Sequence, residues 1–132
     1  MLKNEVKRVG AFTPIPKHLR KAAHRTCCQI CGSHYGYMKS YEDGKQMIVR
    51  EAIHHHLSRR WCMEHFIDPH QLANLISICG RCHGKIKVLE DRLYQGDAFA
   101  FMRGLRVMNY PVEKLIQFAN KFGMHEFEGF TQ

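Results

Sequence analysis

A chain of 132 residues is enough for one domain with a modest core, small enough to gain from a metal staple. Lys and Arg number 20 against 12 Asp and Glu, a net charge of +8, and that excess argues for a polyanionic partner rather than for any fold. No apolar leader opens the sequence and no run reaches membrane-spanning length, so a cytoplasmic protein without a membrane partner is expected. In that reducing compartment, paired Cys-x-x-Cys motifs hold metal rather than disulfides.

The basic excess is steepest at the start: up to Tyr41 the only acid is Glu5, against eight Lys and Arg. Residues 1–14 show no periodicity and are expected to be extended. Ile15 to Arg25 reads as a short helix, with Pro16 near its first turn. Ile15, Leu19 and Ala22/Ala23 form its apolar stripe, and Lys17, Arg20, Lys21 and Arg25 cover the rest. Such a face can lie along a phosphate backbone or simply face solvent.

Next comes Cys27-Cys28-Gln29-Ile30-Cys31-Gly32. Only Cys28 has the two-residue gap to Cys31, and Gly32 suits a tight knuckle turn. Cys27 is the spare thiol, and His34 is a weaker substitute ligand. Residues 33–45 read as loop, with Asp43-Gly44 as a hairpin turn. Gln46 to His56 is expected to be one strand. Met47, Val49, Ile53 and His55 fall on one face, and Ile48, Arg50, Ala52, His54 and His56 on the other. Leu57 to Ala73 is too polar and irregular for a core element, and its Cys62 has no Cys-x-x-Cys partner.

A second strand, Leu75–Ile78, leads to Cys79-Gly80-Arg81-Cys82-His83. A helix is expected from about Cys82 to Leu93, with Ile86, Leu89 and Leu93 inward. Asp97 is a plausible N-cap for another through Met108, burying Phe101, Met102 and Leu105. After Tyr110-Pro111, Val112–Phe122 forms a last amphipathic helix, with Leu115, Ile116, Ala119 and Phe122 on its stripe and Gly123 as its stop.

Two Cys-x-x-Cys knuckles about fifty residues apart suggest one tetrahedral zinc held by Cys28, Cys31, Cys79 and Cys82. The histidines then form a separate set suited to cutting a phosphodiester. That reaction needs a neutral imidazole to take a proton from water, and a cation with open positions to neutralise charge on the phosphate. A helix start beside them favours the anion.

The order Cys28/Cys31, His55-His56-Leu57, Asn74-Leu75, Cys79/Cys82-His83 resembles the HNH (His-Asn-His, ββα-metal) endonuclease family over residues 15–88. The resemblance implies an α+β fold: a ββα-metal core with a four-cysteine zinc knuckle, flanked by the basic N-terminal helix and by C-terminal helices over about 97–123, all in one domain. It implies a metal-dependent endonuclease hydrolysing DNA by a one-metal mechanism. Small stand-alone proteins of this family are common in bacteriophages, mobile elements and restriction systems. In the family's roles, His55 is a metal ligand, His56 the general base, His83 the second metal ligand, and Asn74 the residue that holds the loop and orients the base. Three consecutive histidines leave a second register open, with His54 and His55 as the dyad. His55 and His56 are preferred because Leu57 then takes the aliphatic place, and because the face of Val49, Ile53 and His55 is expected to pack on the helix of His83. Where some members carry an extra ligand one turn on, this chain has Lys87, which favours Mg²⁺ or Mn²⁺ over tightly held catalytic zinc. Arg59, Arg60, Arg81 and Lys85 flank the motif as candidates for backbone contacts with DNA. One site cuts one strand, so a double-strand cut calls for a homodimer or two binding events. The competing reading is a non-catalytic zinc-ribbon module that binds nucleic acid.

Overall fold

Proline before a run of good helix formers starts the first element: α1 spans Lys17–Ala23, with Pro16 as N-cap, its carbonyl accepting the Leu19 and Arg20 N–H groups. The structure, a computed structural model, describes residues 13–130, so the expected extended start lies outside the described residues but for Thr13 and Pro14. β1 (Met38–Ser40) and β2 (Gln46–Ile48) form a short antiparallel hairpin. Its turn places Gly44 at φ +83°, and the Asp43 carboxylate accepts the Lys45 N–H at 3.1 Å.

The long strand expected from Gln46 to His56 is two strands. At Val49 the chain is still bonded to the hairpin side, its N–H to Tyr37 and its carbonyl to Gly36. At Arg50 the carbonyl instead accepts the Gly80 N–H. The backbone thus changes partner within two residues. β3 (Glu51–His55) then pairs antiparallel with β4 (Leu75–Cys79), from Glu51 opposite Cys79 to His55 opposite Leu75.

This second hairpin is covered on both faces. Directly paired residues share a face, so Ile53, His55, Leu75 and Ser77 lie on one and Ala52, His54, Ile76 and Ile78 on the other. Ile15, Ala23 and Leu75 bury together with Leu19 and Ile53 against them, so the first face carries α1. Ile76 and Ile78 enter the main core of the C-terminal helices. The expectation that Val49, Ile53 and His55 face the helix of His83 is therefore corrected for Ile53, which packs on α1, while Val49 joins the main core and His55 lines a cleft with His83. Period-2 alternation separates two faces but does not say which layer covers each.

Between the two strands the polar stretch is not all loop. α2 (Arg59–Glu64) is capped by Ser58, whose hydroxyl accepts the Trp61 N–H, and it buries Cys62 and Met63. α3 (Gly80–Tyr94) begins at the second knuckle and buries Cys82, Ile86, Glu90 and Leu93. α4 (Ala98–Val107) is capped by Asp97, whose carboxylate accepts the Ala100 N–H at 3.0 Å. A Cβ on Gly104 would lie 2.4 Å from a Leu89 methyl, so that glycine allows α3 and α4 their close approach. α5 (Val112–Asn120) buries Leu115, Ile116 and Ala119, but ends before Phe122, which is left exposed. The architecture is α+β, with two small two-stranded sheets. Among the described residues, no helix is long and apolar enough to cross a membrane.

Candidate metal centres

The two knuckles meet. Ligand atoms of Cys28, Cys31, Cys79 and Cys82 all lie within 4.8 Å of one another, and the Cys31 and Cys79 sulfurs are 3.8 Å apart. Four thiolates at about 2.3 Å from a zinc stand about 3.8 Å apart along a tetrahedral edge, so the cluster fits one such ion. Each knuckle is shaped by its backbone. The Ile30 and Cys31 N–H groups point at the Cys28 sulfur, at 3.4 and 3.5 Å, and the Gly32 N–H closes the turn onto the Cys28 carbonyl. Gly32 sits at φ +75°, where a side chain would be strained. In the second knuckle Cys79 is the N-cap of α3, accepting the Cys82 N–H at 3.4 Å. The thiols share protons unequally. A hydrogen bond from Cys82 holds Cys28 well below the usual thiol range, and the same contact, with burial, pushes Cys82 up.

The other two cysteines stand apart from this cluster. Cys27 contacts the His34 imidazole, 3.2 Å from Nδ1, so His34 serves the spare thiol rather than the four-thiol group. Cys62 is wholly buried, and burial pushes its thiol up to about 12.

The histidines diverge. His54 lies on the helix-facing side of β3, and its ring meets that of His83 edge-on, with centroids 5.2 Å apart. Both line an open cleft of about 720 Å³ between β3, α2 and α3, together with His55, Arg59, Arg60, Lys87, Glu90, Asp91 and Tyr94. His56 lies elsewhere. It is 2% exposed, with Nδ1 2.5 Å from the Tyr110 hydroxyl, on a separate pocket beside Lys114. Of the preferred dyad, then, only His55 reaches the cleft, and it is His54 that stands against His83.

Burial disfavours the protonated form of all four imidazoles and leaves each with a lone pair free of a proton. Burial lowers His54 well below its ordinary value, with His83 next as a cause, and burial then Lys87 lowers His83. His55 is pushed down to about 3 by burial and by the Arg59 cation. His56 falls to about 3 through burial and Lys114.

Asn74 is fully buried and uses its whole amide. Its oxygen accepts the Leu57 N–H at 2.8 Å, and its nitrogen donates to the Leu57 and Pro69 carbonyls, each at 3.0 Å. Its own carbonyl accepts the His56 N–H. Three of these bonds hold the strand end that carries the histidines, and the fourth holds the turn at Pro69.

The basic candidates separate into two groups. Arg59 and Arg60 line the histidine cleft; Arg60 also pairs with Glu64 at 3.2 Å and lies over the Tyr94 ring. Arg81 and Lys85 line a pocket on the thiol side, with Arg81 over the Tyr41 ring. Sequence reasoning missed Glu90, buried at the cleft, whose carboxyl is pushed up to about 7 by desolvation. Its spacing from His83 and Lys87 along one helix face was a readable signal. Comparison with protein-family models, with curated proteins and with solved structures gives no match.

Proposed function

We propose that this chain is a metal-dependent endonuclease of the HNH type that hydrolyses DNA phosphodiester bonds, its four cysteines holding a structural zinc. One observation carries the reading: His54 and His83, from a strand and the helix that follows its partner strand, meet edge-on in the wall of an open cleft that His55 also lines. That favours the register His54-His55 over His55-His56. His54 and His83 would hold a divalent ion such as Mg²⁺ or Mn²⁺. Both are neutral donors, and the cleft leaves room for phosphate and water. When bound, the ion supplies charge neutralisation at the phosphate. His55 is the general base, taking the proton of the attacking water. Asn74 fixes the backbone just beyond it. Arg59, Arg60 and Lys87 place positive charge along the cleft for the DNA backbone. His56, enclosed against Tyr110, packs rather than reacts.

The test is cleavage of supercoiled plasmid. Nicked or linear product should form with Mg²⁺ or Mn²⁺, and EDTA should abolish it. His55→Ala should lower the rate by roughly a hundred- to ten-thousand-fold, with no recovery at high Mn²⁺. His54→Ala should recover in part at high Mn²⁺, because a weakened metal site can be filled by mass action. His56→Ala should cost stability while leaving the metal requirement unchanged. Plasmid that is bound but stays intact across Mg²⁺, Mn²⁺, Ni²⁺ and Zn²⁺ would leave the zinc-ribbon binding module as the better account.

A further inference from the structure

The general base proposed above has a partner that the HNH motif does not name. His55 Nε2 lies 3.2 Å from His70 Nδ1, and His70 Nε2 lies 2.9 Å from the Thr13 carbonyl oxygen. The two rings are tilted by 43°, with centroids 5.3 Å apart. His70 comes from the turn before β4, and its place there is built. The Asp68 carboxylate accepts the His70 N–H at 2.9 Å, and the buried Asn74 amide holds the Pro69 carbonyl. Since that amide also holds Leu57 on both its N–H and its carbonyl, one buried group fixes the strand end of His55 and the turn of His70 together.

Hydrogen-bond chemistry then gives the chain a direction. A carbonyl oxygen can only accept, so His70 carries its proton on Nε2. With its proton on Nε2, His70 offers the Nδ1 lone pair to His55 Nε2–H. His55 in turn keeps its lone pair on Nδ1. We infer that His70 is a positioning residue, which fixes the tautomer and ring orientation of His55 so that Nδ1 is the atom that takes the proton of water. The backbone at Thr13 anchors this relay, and Arg59, donating to the same carbonyl at 3.2 Å, ties the cleft's cation to it. This inference rests on the proposed role of His55 as base, but the hydrogen-bond relay can be measured apart from it.

The experiment combines nitrogen-15 NMR of histidine-labelled protein with plasmid cleavage by the full chain at saturating DNA and Mn²⁺. In wild-type protein, His55 should appear as a single tautomer protonated at Nε2. His70→Ala should give a mixture of His55 tautomers and lower kcat by about ten- to a hundred-fold, the range for losing a group that orients a reacting one, with KM for DNA unchanged. His70→Asn sets an amide oxygen close to the lost Nδ1, and should restore both the single tautomer and most of kcat. A wild-type His55 protonated at Nδ1 would overturn the inference. So would a His55 tautomer indifferent to His70→Ala, or a His70→Ala loss that is recovered by raising Mn²⁺, which would make His70 a metal ligand. Absence of cleavage by wild-type protein, with the tautomer responses as expected, would remove the nuclease reading and leave the relay standing.

Discussion

Thiol cluster and histidine cleft grow from the same junction, the passage from β4 into α3, yet they are opposite kinds of site. Cys82 and His83 are neighbours in the first turn of α3, and about 100° of helical rotation sends one to each. The thiol site is closed: four sulfurs mutually within 4.8 Å, with backbone N–H groups aimed at Cys28 and Cys79. The cleft is open, about 720 Å³ in volume, and the His54 and His83 rings meet edge-on in its wall. A full tetrahedral ligand set satisfies an ion and leaves nothing for substrate, whereas a sparse one leaves positions for reacting groups. The four-thiol group can hold a metal ion outright; the cleft, on the proposed reading, would hold one with positions left open.

The comparison breaks most visibly at the closed site. Cys79→Ser should lose about one tightly held zinc per chain and with it cooperative unfolding, because a thiol ligand and the α3 cap go together. Metal analysis and a thermal melt would show it. Retention of zinc by this variant would mean that the four-thiol group is not the ion's site. Since His83 follows Cys82 directly, cleavage should disappear in the same variant.

Asn74→Ala comes next. It removes an amide with three hydrogen bonds and strands buried backbone groups of Leu57 and Pro69. A loss on the order of 3 kcal/mol or more is expected in urea unfolding, with zinc still bound. A variant as stable as wild type would show that the clamp is not needed.

A smaller effect, and one of opposite sign, belongs to the cleft. Glu90 is raised by desolvation from 4.5 to about 7. The folded state therefore binds more protons than the unfolded between those values, and stability falls as pH rises through that window. The penalty is absent below about pH 4.5 and complete above about pH 7. Glu90→Gln should accordingly raise stability by roughly 2–3 kcal/mol at pH 8 without added divalent ions, and by nothing near pH 4. Equal stability of the two proteins at pH 8 would place compensating positive charge on the carboxylate. The least effect is expected of Cys27→Ser, which lies outside the four-thiol cluster and should keep its zinc and change stability by less than about 0.5 kcal/mol. Release of zinc there would redraw the ligand set.

Much of this molecule was legible before any coordinates. Cys-x-x-Cys spacing is a local geometric constraint, so the choice of Cys28, Cys31, Cys79 and Cys82, with Cys27 and Cys62 left over, could be read directly. Asp97 as a cap and the burial of Phe101, Met102 and Leu105 followed from local chemistry and helical period. The short α2 was missed although Ser58 signalled it, because six residues carry too little period to read.

The histidine register could not be read in that way. Alternation along Ile53-His54-His55-His56 separates the residues into two sets, and both faces of the β3–β4 hairpin are covered, one by α1 and one by the C-terminal helices. Which set meets His83 depends on the change of partner at Val49 and Arg50 and on where α3 lands. Pairings such as His54 with His83, His55 with His70 and His56 with Tyr110 span 29, 15 and 54 residues of sequence. Spacing and periodicity constrain what is near in the chain. Contacts at that range are fixed only when the layers pack.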